Sequence, residues 1–356
     1  MPHRVVPRAT LVIATVVAVV AAAVGALAAW RLVSPETPLA RAMSLVPADA
    51  TRFSWTDWAG VRAELGADLD ARSSAEEVEA FLAEAFEQDL SSMSALATSA
   101  GVMQDELGFS PATISWELLA QSGSGAVAVM GVGDDVDLEH VADLLASHGW
   151  SQPDDPAGVW EGGPDVLSGV GPMLTPELQH LALLADEGVV LASDQVPHLE
   201  QVLRVVAGEA DGADGLAEVV ARLEEPLAAA AYDGAYACEH LAMAQADDAA
   251  RAEADRLLAA AGEVHPLTGF AMGVLPHGDV RAVLQVEDAD DAPGDAEARA
   301  ALASGPAPGQ GGDFTDRFSV EAAGAEGREV VLDLRPVAGS YVLSDLTSGP
   351  VLFATC

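Results

Sequence analysis

The chain has 356 residues, 56 of them acidic and 16 basic, for a formal net charge of −40, and half of its residues are apolar. A field of that sign repels nucleic acid, anionic headgroups and anionic wall polymers, and it suits a cation or a basic partner. The apolar residues recur in periodic runs, which excludes a disordered tail, and the length suffices for one large domain or two ordinary ones.

The first predicted element is the run Ala9–Trp30, without charge or proline. As a helix it would span ~33 Å, enough to cross a bilayer core. Arg4 and Arg8 precede it and acid begins only at Glu36, so the charge rule puts residues 1–8 in the cytoplasm and the body outside. A cleaved signal peptide with an Ala26-Leu27-Ala28 site competes with a retained anchor over 9–32. The run is long for a signal-peptide core, which favours the anchor. Pro35, Pro38 and Pro47 predict an extended stalk over 33–46.

The body reads as α+β, in two related halves over 47–209 and 210–356, with mainly antiparallel or mixed sheets packed by helices. Thr51–Trp55 reads as a strand, and Thr56 or Asp57 suits an N-cap for the helix after it. Ser73/Ser74 cap a helix whose Val78, Phe81, Leu82 and Ala85 share one face. Ile114–Ala120 is ambiguous. Ala126–Val132 is a strand, followed by an acidic turn and a helix from Leu138 to His148, capped by Asp137 and stopped at Gly149. Gly158–Glu161 reads as a short strand and Gly162–Thr175 as loop. Asp186-Glu187-Gly188 turns a hairpin between His180–Ala185 and Val189–Ala192, and a helix starts at Pro197.

The polar, Gly-rich Glu209–Gly215 marks the boundary between halves. Beyond it, Leu216–Ala230 reads as helix broken at Pro226, and Tyr232–Glu239 as strand. Asp247/Asp248 open a helix to Ala261, and Pro276-His277-Gly278-Asp279 turns a hairpin between Leu267–Leu275 and Val280–Val286. A short helix ends near Ala303. Phe318–Ala322, Glu329–Leu334, Tyr341–Leu343 and Val351–Thr355 read as strands. An internal echo joins Ala126–Gly149 to Ala282–Gly305: a strand, several Asp, then a helix ending before Gly.

The pattern as a whole resembles uncharacterised actinobacterial exported or membrane-anchored α+β proteins. The residues that carry this are the apolar leader, Leu45-Val46-Pro47-Ala48-Asp49-Ala50, and Trp116-Glu117-Leu118 ahead of Gly125-Ala126-Val127-Ala128-Val129. The resemblance brings no active site with it.

The chain lacks a Gly-x-Ser-x-Gly elbow, a P-loop lysine, His-Glu-x-x-His and Cys-x-x-Cys. Cys238 and Cys356 are its two cysteines. In an exported body they pair as a disulfide, closing a loop worth ~4–5 kcal/mol in the chain-entropy model. Left as thiols they would join His240, on the same strand face as Cys238, as zinc ligands. The candidate metal ligands are Asp134, Asp135 and Asp137, with Asp288, Asp290 and Asp291 in the echo; clustered carboxylates suit Ca²⁺, although the EF-hand order is absent. Capping and solvation are the plainer roles of these residues. Trp55, Trp58, Trp116, Trp150 and Trp160 are either core or a stacking surface for glycans. His140 and His148 read as surface residues of one helix.

With export indicated and no catalytic constellation, the expected function is a membrane-anchored, non-catalytic envelope protein that binds another protein or a small ligand. Nucleic acid is excluded as a partner. A metal-assisted hydrolase of envelope substrates and a structural spacer are the alternatives.

Overall fold

A computed structural model describes residues 37–356, and Pro38–Cys356 forms one compact unit. The expected tail 1–8, membrane segment 9–32 and the start of the stalk lie outside the described residues. Among the described residues no helix is long and apolar enough to cross a membrane.

Among the described residues, eleven strands form one sheet: β1 (Arg52–Thr56), β2 (Trp116–Gln121), β3 (Ala126–Gly131), β4 (Trp160–Glu161), β5 (His180–Leu184), β6 (Val189–Ser193), β7 (Ala228–Asp233), β8 (Leu267–Val274), β9 (Val280–Val286), β10 (Phe318–Glu326) and β11 (Glu329–Pro336). Their order is β10-β11-β9-β8-β7-β1-β2-β3-β6-β5-β4, and every neighbouring pair is antiparallel. The α+β class holds. The strands on either side of Glu209–Gly215 share this one sheet, joined by the β1–β7 ladder that pairs Arg52 with Tyr232 and Phe53 with Ala231.

Both faces of the central strands are buried. Alternate residues of β7 show this: Ala228, Ala230 and Tyr232 enter one apolar cluster, and Ala229 and Ala231 enter the other. The first cluster is the larger. It packs the helices Trp58–Leu65, Ala75–Glu87, Ala100–Glu106, Leu138–His148, Asp248–Ala261 and Ala292–Leu302. The second is covered by Pro38–Ser44, Val196–Val206 and Ala217–Ala221.

Local signals that act through a few neighbouring atoms behave as expected. Asp57 accepts from the Gly60 amide, Ser74 and Glu77 form a reciprocal capping box, and Asp137 accepts from the amides of Glu139 and His140. Gly66 and Gly149 end their helices with left-handed backbone, which glycine adopts without a Cβ penalty. Both hairpins form, as β5–β6 and β8–β9.

Several expectations are corrected. The stalk is not extended throughout: Pro38–Ser44 is a helix, with Pro38 tolerated in its first turn and Leu39, Ala42 and Met43 buried. Leu216–Ala230 is helical only over Ala217–Ala221. Ala228–Ala231, four strong helix formers, lies instead in a central strand buried between two covering layers. The ambiguous stretch near 114–120 is β2. A helix, Pro164–Val170, occupies part of the expected loop 162–175. Residues 234–241 are helical rather than strand, because Asp233 ends β7 and its carboxylate accepts from the Tyr236 amide at 2.6 Å. The C-terminal strands at Tyr341–Leu343 and Val351–Thr355 are instead a helix, Val342–Leu346, and a 3₁₀ turn, Leu352–Ala354.

One buried acid on β2 ties the layers together. Glu117, 1% exposed, accepts from Trp58 Nε1 at 3.1 Å, Ser94 Oγ at 2.6 Å and the Ala95 amide at 2.7 Å. Burial pushes its carboxyl up, and these donors oppose the rise.

Candidate functional site

The six aspartates expected to bind metal do not meet. In this antiparallel sheet β3 and β9 are five strands apart, roughly 24 Å, and run in opposite directions. The turns that follow them therefore lie at opposite ends of the sheet. Asp134, Asp135 and Asp137 sit after β3, with Asp137 engaged as a cap. Asp288, Asp290 and Asp291 sit after β9, where Asp288 accepts from the Asp290 amide at 3.0 Å. Among the described residues no group of three or more His, Cys, Asp or Glu is arranged to hold a metal ion. The carboxylates do not fit the Ca²⁺ reading.

The zinc alternative falls because Cys238 and Cys356 are bonded to each other. His240 packs on Tyr236 instead, with ring centroids 4.5 Å apart, and the two lie on a helical segment rather than a strand. The tryptophans are no glycan platform. Trp55, Trp58, Trp150 and Trp160 are buried, and Trp116 is half-buried against Trp55. His140 is exposed, and His148 is half-buried against Glu106.

Beside Asp291 the chain builds a closed polar knot. Asp295 and Arg299, one helical turn apart on Ala292–Leu302, are both fully buried. Arg299 Nε donates to Asp295 Oδ2 at 2.8 Å, its Nη1 to the Phe353 and Thr355 carbonyls, and its Nη2 to the His265 carbonyl. Asp295 Oδ1 also meets His265 Nδ1 at 2.7 Å. Burial pushes the Arg299 guanidinium down and the Asp295 charge pulls it back. The His265 imidazole is raised, first by its Asp295 hydrogen bond and also by Asp291 and Glu263. Every strong donor here has an acceptor, as a buried pair requires. The knot anchors the C-terminal tail.

A second arginine sits in the opposite condition. Arg52 opens β1 and lines a cleft of about 620 Å³, walled by Ser92, Tyr236, His240, Ser344 and Thr347 among others, with no Asp or Glu in its lining. Arg222, Arg281 and Arg328 each reach a carboxylate, whereas Arg52 makes no ion pair among the described residues and its Nε is buried without a hydrogen-bond partner. The buried Ser92 hydroxyl sits beside the Asp89 carboxylate, which also accepts from the Ser344 amide at 3.1 Å.

Tyr232, paired with Arg52 across the ladder, is buried. Burial pushes its phenol up to about 12, with the Arg52 charge pulling the other way. Arg52 is near enough for both its charge and its hydrogen-bonding side chain to draw the phenol back down. Tyr232 stacks on Tyr236 at 5.5 Å and 7°, so an aromatic shelf runs from Tyr232 through Tyr236 to His240. The disulfide pins this wall, because Cys238 lies between the half-buried Tyr236 and the exposed His240 in sequence and is bonded to Cys356.

Arg52, Ser92 and Tyr236 carry no sequence motif. The one sequence signal was an Arg within the first strand of a strongly acidic chain; its cleft mates come from segments 40 to almost 300 positions away.

No family model matches the chain, and no curated protein does. Two solved structures are similar, both of TP0453, in its crystal forms I and III. Identity is 9% in each case. The first covers 87% of this chain and 97% of that one with a TM-score of 0.43, and the second 86% and 98% with 0.39.

Proposed function

We propose that the chain is a membrane-anchored envelope protein with an extracytoplasmic body, held by residues 9–32, and that it acts by binding rather than by catalysis. The observation that carries this reading is the Cys238–Cys356 disulfide, closed across 118 positions. Disulfides persist in oxidising compartments and are rare in the cytosol. This one also braces a wall of the Arg52 cleft, whose lining holds an arginine with no carboxylate partner among the described residues.

The body is built from two related halves. Strand order supports this: β1-β2-β3 on one side of the central ladder corresponds to β7-β8-β9 on the other. A helix follows β3 and another follows β9, and a later hairpin then returns beside each of these strands, β5–β6 next to β3 and β10–β11 next to β9.

Topology mapping tests the anchoring. In cells with the outer layers removed, external protease is expected to digest the body and spare a tag at residue 1. Maleimide is expected to label Cys238 and Cys356 only after reduction. Full-length chain in the cytosol with two free thiols would overturn the reading.

A further inference from the structure

We propose that the Arg52 cleft binds a small organic anion bearing a flat ring, with the Arg52 guanidinium holding its carboxylate or phosphate and Tyr236 and His240 holding the ring. This inference rests on the binding role proposed above and adds the chemistry of the ligand.

Three observations converge on it. A guanidinium offers five donors in a planar fork that matches a carboxylate or phosphate. Arg52 lines the cleft and makes no ion pair among the described residues, so no carboxylate of the chain occupies its fork. The electrostatics select for an anion. Acids line other clefts of this chain, Glu64, Glu87 and Asp89 in one and Glu287, Asp288 and Asp291 in another, yet none lines this one. In so acidic a protein, an arginine in a cleft whose nearest acid, Asp89, lies behind Ser92 and Ser344 is a local exception to a repelling field, which discriminates against anions elsewhere on the surface. Finally, the cleft has room for a drug-sized molecule and flat walls for a ring. Its volume is about 620 Å³, and the half-buried Tyr236 stacks on Tyr232 and carries His240, packed 4.5 Å from it, as the exposed outer ring at the lip. Thr347 and Ser344 add hydroxyls on the facing wall.

The test is calorimetry on the full chain in nanodiscs of zwitterionic lipid, so that the membrane itself supplies no free anion. The probes are phenyl phosphate, benzoate, inorganic phosphate and benzyl alcohol. Phenyl phosphate or benzoate is expected to bind, and whichever is tighter identifies the anion. Inorganic phosphate is expected to bind at least tenfold more weakly, and benzyl alcohol to give no heat. Arg52→Gln is expected to weaken the better probe by about ten- to hundred-fold, the range for a charge-assisted hydrogen bond. Tyr236→Leu is expected to erase the preference for ring-bearing anions while leaving inorganic phosphate unchanged. Retained circular dichroism and an intact disulfide check that each variant is folded. Equal binding by Arg52→Gln, equal binding of benzyl alcohol, inorganic phosphate as tight as phenyl phosphate, or no heat from any probe overturns the inference. None of these results bears on where the chain resides, which the protease and maleimide experiment decides separately.

Discussion

Arg299 and Arg52 are the same residue in opposite circumstances. Arg299 is wholly buried, yet each of its three nitrogens donates to a fixed acceptor: Asp295, the last turn of the chain, or His265. Arg52 is half-buried, and its buried nitrogen donates to nothing. A charge can be taken from water when the fold supplies its partners, and it then becomes structural. Where partners are missing the charge costs stability, and a ligand can supply what the fold does not. The two regions are physically joined. Arg299 holds the Thr355 carbonyl, Cys356 follows it, and the disulfide leads to Cys238 in the cleft wall.

Cutting that join should have the largest effect. Replacing both cysteines by serine is expected to cost about 4–5 kcal/mol, the loop-closure value for this separation. Urea unfolding measures it, and a loss under about 1 kcal/mol would show that the knot alone holds the tail. Next comes Arg299→Met, which leaves Asp295 buried with its charge and only His265 beside it. The expected cost is about 3–5 kcal/mol, and Asp295→Leu added to Arg299→Met should recover much of it, because an apolar pair of similar volume replaces a buried ion pair without leaving one charge alone.

A pH series then separates the knot from the cleft. The His265 pKa is raised on folding, so its stabilising contribution is complete below the unfolded value near 6.5 and is lost as pH rises through the higher folded value. The stability gap between the wild type and His265→Gln should therefore be widest near pH 5.5 and narrow toward pH 9, read by urea midpoints. A gap that widens with pH would refute the Asp295–His265 hydrogen bond as its source. The smallest effect is expected at Arg52→Gln. Without ligand its stability should stay within about 1 kcal/mol of the wild type, because no ion pair is lost and a costly buried donor is removed. A loss as large as that of Arg299→Met would mean that Arg52 too is a structural residue.

Legibility from the sequence followed the range of the interactions. Ser74 ahead of Ala75, Asp137 ahead of Leu138, and the turns at Asp186–Gly188 and Pro276–Asp279 act within four or five residues, and each is readable as a cap or hairpin. The cysteine pairing was readable because there were only two candidates, but the backbone around both was misread. The tail 351–355 and the segment 234–241 both have apolar stretches of strand length and are not strands. Their hydrogen bonds go to Arg299, Asp233 and Leu241 rather than to a ladder.

What the sequence determined by itself is the acidity, the α+β alternation, the capped ends and the pool of two cysteines, all properties of composition or of a few adjacent side chains. Only the tertiary structure decided that four successive alanines form a central strand, since their burial depends on layers supplied by distant segments. It also decided that the two aspartate clusters lie at opposite ends of the sheet, and that one arginine is satisfied while another is not. A side chain's partners across a sheet come from its register and from the elements that cover it, and neither is written in the residues beside it.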